Sequence, residues 1–297
     1  MVLSCLLPLT ACATGSSNDA DGQATTRSNL GYDPTTKSKA ALMLDKAAES
    51  LSLKSLTYRS VAKLGGSRIA VSGGVDPVRE VATYVTKLDG PAATTMAGDE
   101  PLEERIRGRR LYASPVSGQL DPCWVDYGPN SAPSGDSGLP WMPPALAAVL
   151  DPVPLGISND EPSTIVVEIS ARKLLGIAMW RFMDDMSDQL TDHAVPVTAW
   201  IALDGGRIAS MRFRVQDAVH ALEKDGVDVL ATVRATADYV GASDARIWKS
   251  FKKYITGDQI TTYAYGEVKV PRPRSDQLMS APRSSDSDPK FCAAARL

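Results

Sequence analysis

The sequence predicts an α+β fold built on one curved antiparallel sheet. Three observations predict it. Short segments of alternating apolar and polar residues succeed one another between Gly-rich turns, as hairpin-connected strands do. Helical spacing of apolar residues is confined to a few places, chiefly 36–51 and 171–190. Apolar residues make up 43% of the 297, an ordinary share for a globular chain. A sheet of this kind buries one face, and what lies on that face decides between a packed core and a cavity.

The elements follow in order. Residues 36–51 place Ala40, Ala41, Leu44, Ala47, Ala48 and Leu51 at helical spacing. Ser55 to Leu64 alternates, Gly65-Gly66 is a turn, and Arg68 to Ser72 resumes a strand. Glu80 to Leu88 sets Val81, Thr83 and Val85 on one face and Ala82, Tyr84 and Thr86 on the other. After a loop at 89–100, Glu103–Ile106 and Arg110–Ala113 pair around Gly108, and Cys123–Tyr127 is a short strand. An irregular Gly-, Pro- and Ser-rich stretch at 128–144 leads to a short helix, Ala145–Leu150. The second half repeats the scheme. Thr164–Ile169 is a β-branched strand and Ala171–Leu190 a long amphipathic helix. Val195–Leu203, the turn Asp204-Gly205-Gly206 and Arg207–Val215 make a hairpin. Val227–Tyr239 reads as a strand with Val229, Ala231, Val233 and Ala235 on one face, and Ser243–Tyr254 as a helix. Thr261–Val270 is the last strand, ended by Pro271 and Pro273 ahead of a polar tail.

The first residues carry the clearest functional signal. Val2 to Leu9 is a short apolar run ending in Leu9-Thr10-Ala11-Cys12, after which the composition turns abruptly polar. This resembles a bacterial lipobox, in which the cysteine thiol receives a diacylglyceryl group and the chain is cut just before it. The expected organisation is a signal peptide at 1–11, lipidation at Cys12, a flexible tether at 12–35, one domain at 36–278 and a disordered tail at 279–297. No Lys or Arg occurs before Arg27, so a basic stretch and the true start codon are expected upstream. The protein is thus expected on the extracytoplasmic face of the cell membrane, held through the lipid anchor. Acyl chains anchor by about 0.8 kcal/mol per buried CH₂.

The remaining composition sets bounds. No apolar run reaches the roughly 18 residues of a membrane-spanning helix. The net charge is −3 with no large basic block, which argues against a nucleic-acid partner. Of four cysteines, Cys5 and Cys12 fall in the signal. Cys123 and Cys292 are left to pair in an oxidising compartment or to remain thiols.

The order of elements resembles the LolA/LolB-like lipoproteins of actinobacteria, the LppX/LprAFG group. Four local matches carry the resemblance. They are Leu111-Tyr112 after Gly108, the segment Ser170 to Gly176, the hairpin Val195 to Ile201 with Asp204 to Ile208, and the closing stretch Tyr265 to Pro271. The resemblance covers roughly residues 36–278. It implies a half-barrel sheet wrapped over helices, enclosing an apolar cavity. It implies binding or transfer of a lipid or lipid-linked molecule, with neither enzymatic activity nor a cofactor.

Candidate residues follow. Leu175, Met179, Phe182, Met183, Met186 and Leu190 form a stripe at helical spacing, and Met suits a pocket that adapts to its contents. The same stripe would serve equally to pack the sheet. In the hairpin strand, Val197, Ala199 and Ile201 alternate with Thr198 and Trp200, and either set would line a cavity; Trp200 joins the candidates. Gly135-Asp136-Ser137-Gly138 matches a serine-protease fragment, but His193 and His220 both follow it. Ser170-Ala171-Arg172-Lys173 matches S-x-x-K without its partner motifs, and Ser170 reads better as a helix N-cap. Asp184, Asp185, Asp188 and His193 fit neither an EF-hand nor a zinc spacing, so no metal is expected. A protein of this fold with a filled core, binding an envelope protein through its surface, is the competing expectation.

Overall fold

In the computed structural model of the chain, the described residues are 31–64, 67–89, 102–114, 123–130, 142–178, 194–229 and 257–280. Among them, thirteen strands form one sheet: β1 (Tyr32–Asp33), β2 (Leu56–Leu64), β3 (Ser67–Asp76), β4 (Val81–Asp89), β5 (Leu102–Arg107), β6 (Arg110–Ser114), β7 (Trp124–Asp126), β8 (Val153–Ser158), β9 (Thr164–Ser170), β10 (Pro196–Asp204), β11 (Arg207–Arg214), β12 (Asp258–Tyr265) and β13 (Leu278–Ser280). Their order is β1-β8-β9-β10-β11-β12-β2-β3-β4-β5-β6-β7-β13. The sheet is large, curved and unclosed, with β1 and β13 at opposite edges. Every neighbouring pair is antiparallel except β7 and β13.

Among the described residues, four helices lie against one face: α1 (Lys37–Leu53), α2 (Pro144–Leu150), α3 (Ala171–Ala178) and α4 (Val215–Lys224). Helix α1 buries Ala40, Leu44, Ala47 and Leu51, a stripe of the helical period, and packs on β8 and β11. Ahead of it Asp33 Oδ1 accepts from the Thr35 backbone N at 2.9 Å, closing a short 3-10 turn. Ser170 Oγ accepts from the Lys173 backbone N at 3.4 Å, which is the N-cap role expected of it. Helix α3 packs on α2, α4, β9 and β2, and α4 packs on β10 and β11.

Register decides which side chains meet these helices. The β10–β11 hairpin turns through Gly205 and Gly206, both at positive φ, which matches the right-handed twist of the two strands. Alternation then sends Val197, Ala199, Ile201 and Leu203 inward from β10, and Met211 and Phe213 inward from β11. Carried across the pairings, the inner face continues with Gln259, Thr261 and Tyr263 on β12, Leu56, Tyr58, Ser60 and Ala62 on β2, and Ala82 and Tyr84 on β4.

The outer face has its own covering. After Tyr265 the chain runs across β3–β5 as a strap rather than pairing. Val268 packs on Gly74, where an added Cβ would lie 2.7 Å from Val268 Cγ1, and Val268 and Val270 cluster with Val81. Arg105 Nη1 donates to Pro271 O at 3.1 Å and Arg107 Nη1 to Val270 O at 2.7 Å. The Arg105 guanidinium also stacks 4.0 Å from the ring centroid of the buried Trp124.

Several expectations need correction. The strand expected at Arg207–Val215 ends at Arg214, because Val215 opens α4, whose Val215, Ala218, Val219 and Leu222 are buried at helical spacing. The strand expected at Val227–Tyr239 is absent where it is described. The turn at Asp225-Gly226 ends α4, and Val229 is already helical; 230–239 lies outside the described residues. The strand expected over Thr261–Val270 spans Asp258–Tyr265, since Val268 and Val270 find apolar cover on the outer face instead of a ladder partner. β1, β8 and β13 were not anticipated. β1 pairs with β8 inside the stretch expected as tether, and β13 straddles the expected domain end at 278. The helix expected to reach Leu190 is described only to Ala178.

Candidate functional site

The candidate site is the inner face where β12 and β2 pair. Tyr263 stands opposite Tyr58, Thr261 opposite Ser60 and Gln259 opposite Ala62. A strip of polar groups is thereby built into an otherwise apolar layer. Gln259 is 2% exposed, Ser60 1% and Thr261 0%. Gln259 Nε2 donates to Ser60 Oγ, and Ser60 Oγ and Thr261 Oγ1 share a hydrogen bond of 2.8 Å. Tyr263 Oη donates to Ala145 O on α2 at 2.6 Å. Among the described residues three oxygens are left over: Gln259 Oε1 and the hydroxyls of Tyr58 and Tyr265 are closed off from solvent with no hydrogen-bond partner. Each such group costs about 1–3 kcal/mol.

The Tyr58 ring lies across Gly73 on β3, where an added Cβ would stand 2.9 Å from its hydroxyl oxygen. Burial pushes the Tyr58 hydroxyl well above its ordinary pKa, and the Glu104 carboxylate adds to the rise. Burial likewise raises Tyr263, reinforced by Tyr265 and Tyr58. Both stay protonated when an unfolded tyrosine, near pH 10, ionises. The unfolded state then holds fewer protons, so the stability is intact below pH 10 and falls as pH rises beyond it. The slope is about 1.4 kcal/mol per pH unit for each buried tyrosine. Urea titrations at rising pH should show the loss beginning near pH 10. Tyr58→Phe should make the slope shallower and leave the protein at least as stable at neutral pH, because the hydroxyl removed has no partner.

The sequence candidates fall in several places. Leu175 is fully buried on α3 in the main core cluster. Met179, Phe182, Met183 and Met186 lie outside the described residues, as do Leu190, Asp184, Asp185, Asp188, His193 and Ser137. Trp200 is on the outer face with its register partners Val166 and Arg212, the Arg212 guanidinium lying 5.2 Å from its ring centroid. It therefore does not share a face with Leu175 and the inward residues of β10, because alternation sends neighbouring side chains to opposite sides. His220 is exposed on α4. Cys123 is disulfide-bonded, with its Sγ 3.7 Å from Met279 Sδ of β13; Cys292 and Cys12 lie outside the described residues. Among the described residues no three of His, Cys, Asp and Glu are grouped to hold a metal, and no helix is long and apolar enough to cross a membrane.

Sequence reasoning missed Tyr58, Ser60, Gln259 and Thr261. The signal was Tyr58 and Ser60 on one strand and Gln259, Thr261 and Tyr263 on another, each set spaced two apart, but only the β12–β2 pairing shows that both sets face inward. A second feature lies on the outer face. A groove of about 530 Å³ crosses β12, β2, β3 and β4, with Thr57, Arg59, Ser72, Thr83, Val85 and Thr262 in its lining. Three of its hydroxyls donate to neighbouring strand carbonyls: Thr57 to Ala264 O, Thr83 to Glu104 O and Thr262 to Arg59 O. The groove therefore offers mainly methyl groups and the exposed Arg59.

No family model and no curated protein matches the chain. Among solved structures it is similar to LprF from Mycobacterium bovis, at 15% identity and a TM-score of 0.39, over 80% of this chain and 98% of that one. It is also similar to an uncharacterized conserved protein from Thermus thermophilus, at 8% identity and a TM-score of 0.25, over 82% of this chain and 99% of the other.

Proposed function

We propose that this chain is an extracytoplasmic lipoprotein, held to the membrane through an acylated Cys12, that binds or transfers a lipid or other apolar molecule on the inner side of its sheet. It works by enclosure, without catalysis and without a cofactor. The observation that carries the reading is the inner face: an apolar layer on an unclosed sheet, interrupted by closed-in oxygens that lack partners among the described residues. Ladder hydrogen bonds run between strands, so the helices can lift from the inner face without breaking one, at the cost of the bond from Tyr263 to Ala145 O. An acyl chain taking their place gains about 25 cal/mol per Å² of apolar surface. The disulfide at Cys123 supports an oxidising compartment.

The test is native mass spectrometry of the full mature chain carrying Cys12→Ser, secreted as a soluble protein, beside a solvent-extracted sample. One co-purified lipid per chain is the expected result. A bare mass that stays unchanged after incubation with envelope lipids overturns the carrier reading. The outer-face groove favours a second reading, in which the core is filled and the sheet's outer side binds an envelope protein. A bare mass together with loss of a cross-linked envelope partner in Arg59→Glu would support it.

A further inference from the structure

We propose that Gln259, Ser60 and Thr261 form a head-group subsite that takes the neutral, hydroxyl- or amide-bearing head of an amphipathic ligand. This rests on the carrier reading above. The argument begins with hydrogen-bond valence. Gln259 gives one end of its amide to Ser60 and leaves the other end free. Ser60 and Thr261 share one bond, which uses one of their two hydroxyl hydrogens; the other has no acceptor among the described residues. The cluster therefore holds a spare acceptor and spare donors side by side, the complement of an alcohol or amide. A polar network kept only for structure would close on itself, since half-satisfied networks are worse than an apolar core.

Charge narrows the ligand. The inner-face positions of β2 and β12 around the cluster are Leu56, Tyr58, Ser60 and Ala62, and Gln259, Thr261, Tyr263 and Tyr265. The inward neighbours on β11 are Met211 and Phe213. None carries a charge, so a phosphate or carboxylate would be buried there without a counter-ion. The carboxylate of Glu104 acts on Tyr58 and would repel an anion further. In the closed state α3 lies against β2. Loading lifts this layer and replaces it with a head that satisfies the free groups.

The experiment compares two probes with the same pyrene-labelled chain, a monoacylglycerol and a fatty acid, on the full mature Cys12→Ser protein. The parent protein is expected to bind the monoacylglycerol about tenfold more tightly, the equivalent of one or two net hydrogen bonds. Gln259→Met, and separately Ser60→Ala with Thr261→Val, should abolish that preference while the fatty acid binds as before. Gln259→Met should melt no lower than the parent, because a half-satisfied amide is replaced by an apolar side chain of similar size, whereas Ser60→Ala with Thr261→Val strands the Gln259 amide and should melt lower, so binding to it is measured well below its melting temperature. A preference that survives both variants overturns the subsite. So does equal binding of the two probes by the parent, an outcome that leaves the carrier reading standing. Binding of neither probe overturns both.

Discussion

Gly73→Ala is expected to destabilise the protein by about 3 kcal/mol or more, at the upper end of what overpacking does. A Cβ at this position would lie 2.1 Å from the backbone oxygen of Thr83 and 2.9 Å from the Tyr58 hydroxyl oxygen. The first neighbour belongs to the β3–β4 ladder and cannot retreat without breaking it. The second belongs to a ring packed in the core. Gly74→Ala supplies the contrast. Its Cβ meets a side chain, Val268, on the strap that crosses the outer face. The expected cost is about 1 kcal/mol, largely removed in the double variant with Val268→Ala. Urea unfolding of the four proteins checks both statements. A mild Gly73→Ala would mean that β3 and β4 separate more easily at this point than their pairing implies.

Loss of the disulfide at Cys123 is the second large effect. Cys123→Ser is expected to cost about 4–5 kcal/mol in the chain-entropy view if the bridge closes the long loop to Cys292. Cys123 leads into β7, and its neighbour across the parallel pairing, Met279, sits on β13 at the edge of the sheet. A bond there fastens an edge strand of three residues that has little else to hold it. Cys292→Ser should then match Cys123→Ser, and the double variant should be no worse than either single one. Thermal unfolding of the oxidised proteins, with thiol titration of each, makes the comparison. A free thiol count of two in the oxidised parent, or additive single effects, overturns the pairing. With Cys123 locked to another partner, Cys292→Ser alone would leave stability unchanged.

Much of the fold was legible without coordinates. The hairpin at Asp204 to Arg207 declared itself through two successive glycines, and the first helix through Ala40, Leu44, Ala47 and Leu51. Such features depend on neighbours a few residues apart, so local pattern suffices to find them. Helix α4 escaped because it follows β11 with no glycine or proline between them; a strand period passes into a helical one at Val215. β1 and β13, two and three residues long, carry too little pattern to be seen, and exist because β8 and β7 offer them an edge.

The division is sharper at the site. The sequence by itself determined the alternation in β2, β10 and β12, the glycine turns and the abrupt polar change after Cys12. Those are properties of the chain read in order. Which half of each alternation faces the helices was decided only by tertiary structure, because register couples strands some two hundred positions apart. Ser60 meets Thr261, Tyr58 meets Tyr263, and Trp200 turns to the outer side with Arg212. The same pairing put the amide of Gln259 where one of its ends finds no partner among the described residues. Polar satisfaction is a property of the assembled interior, where every donor competes for acceptors brought from elsewhere in the chain.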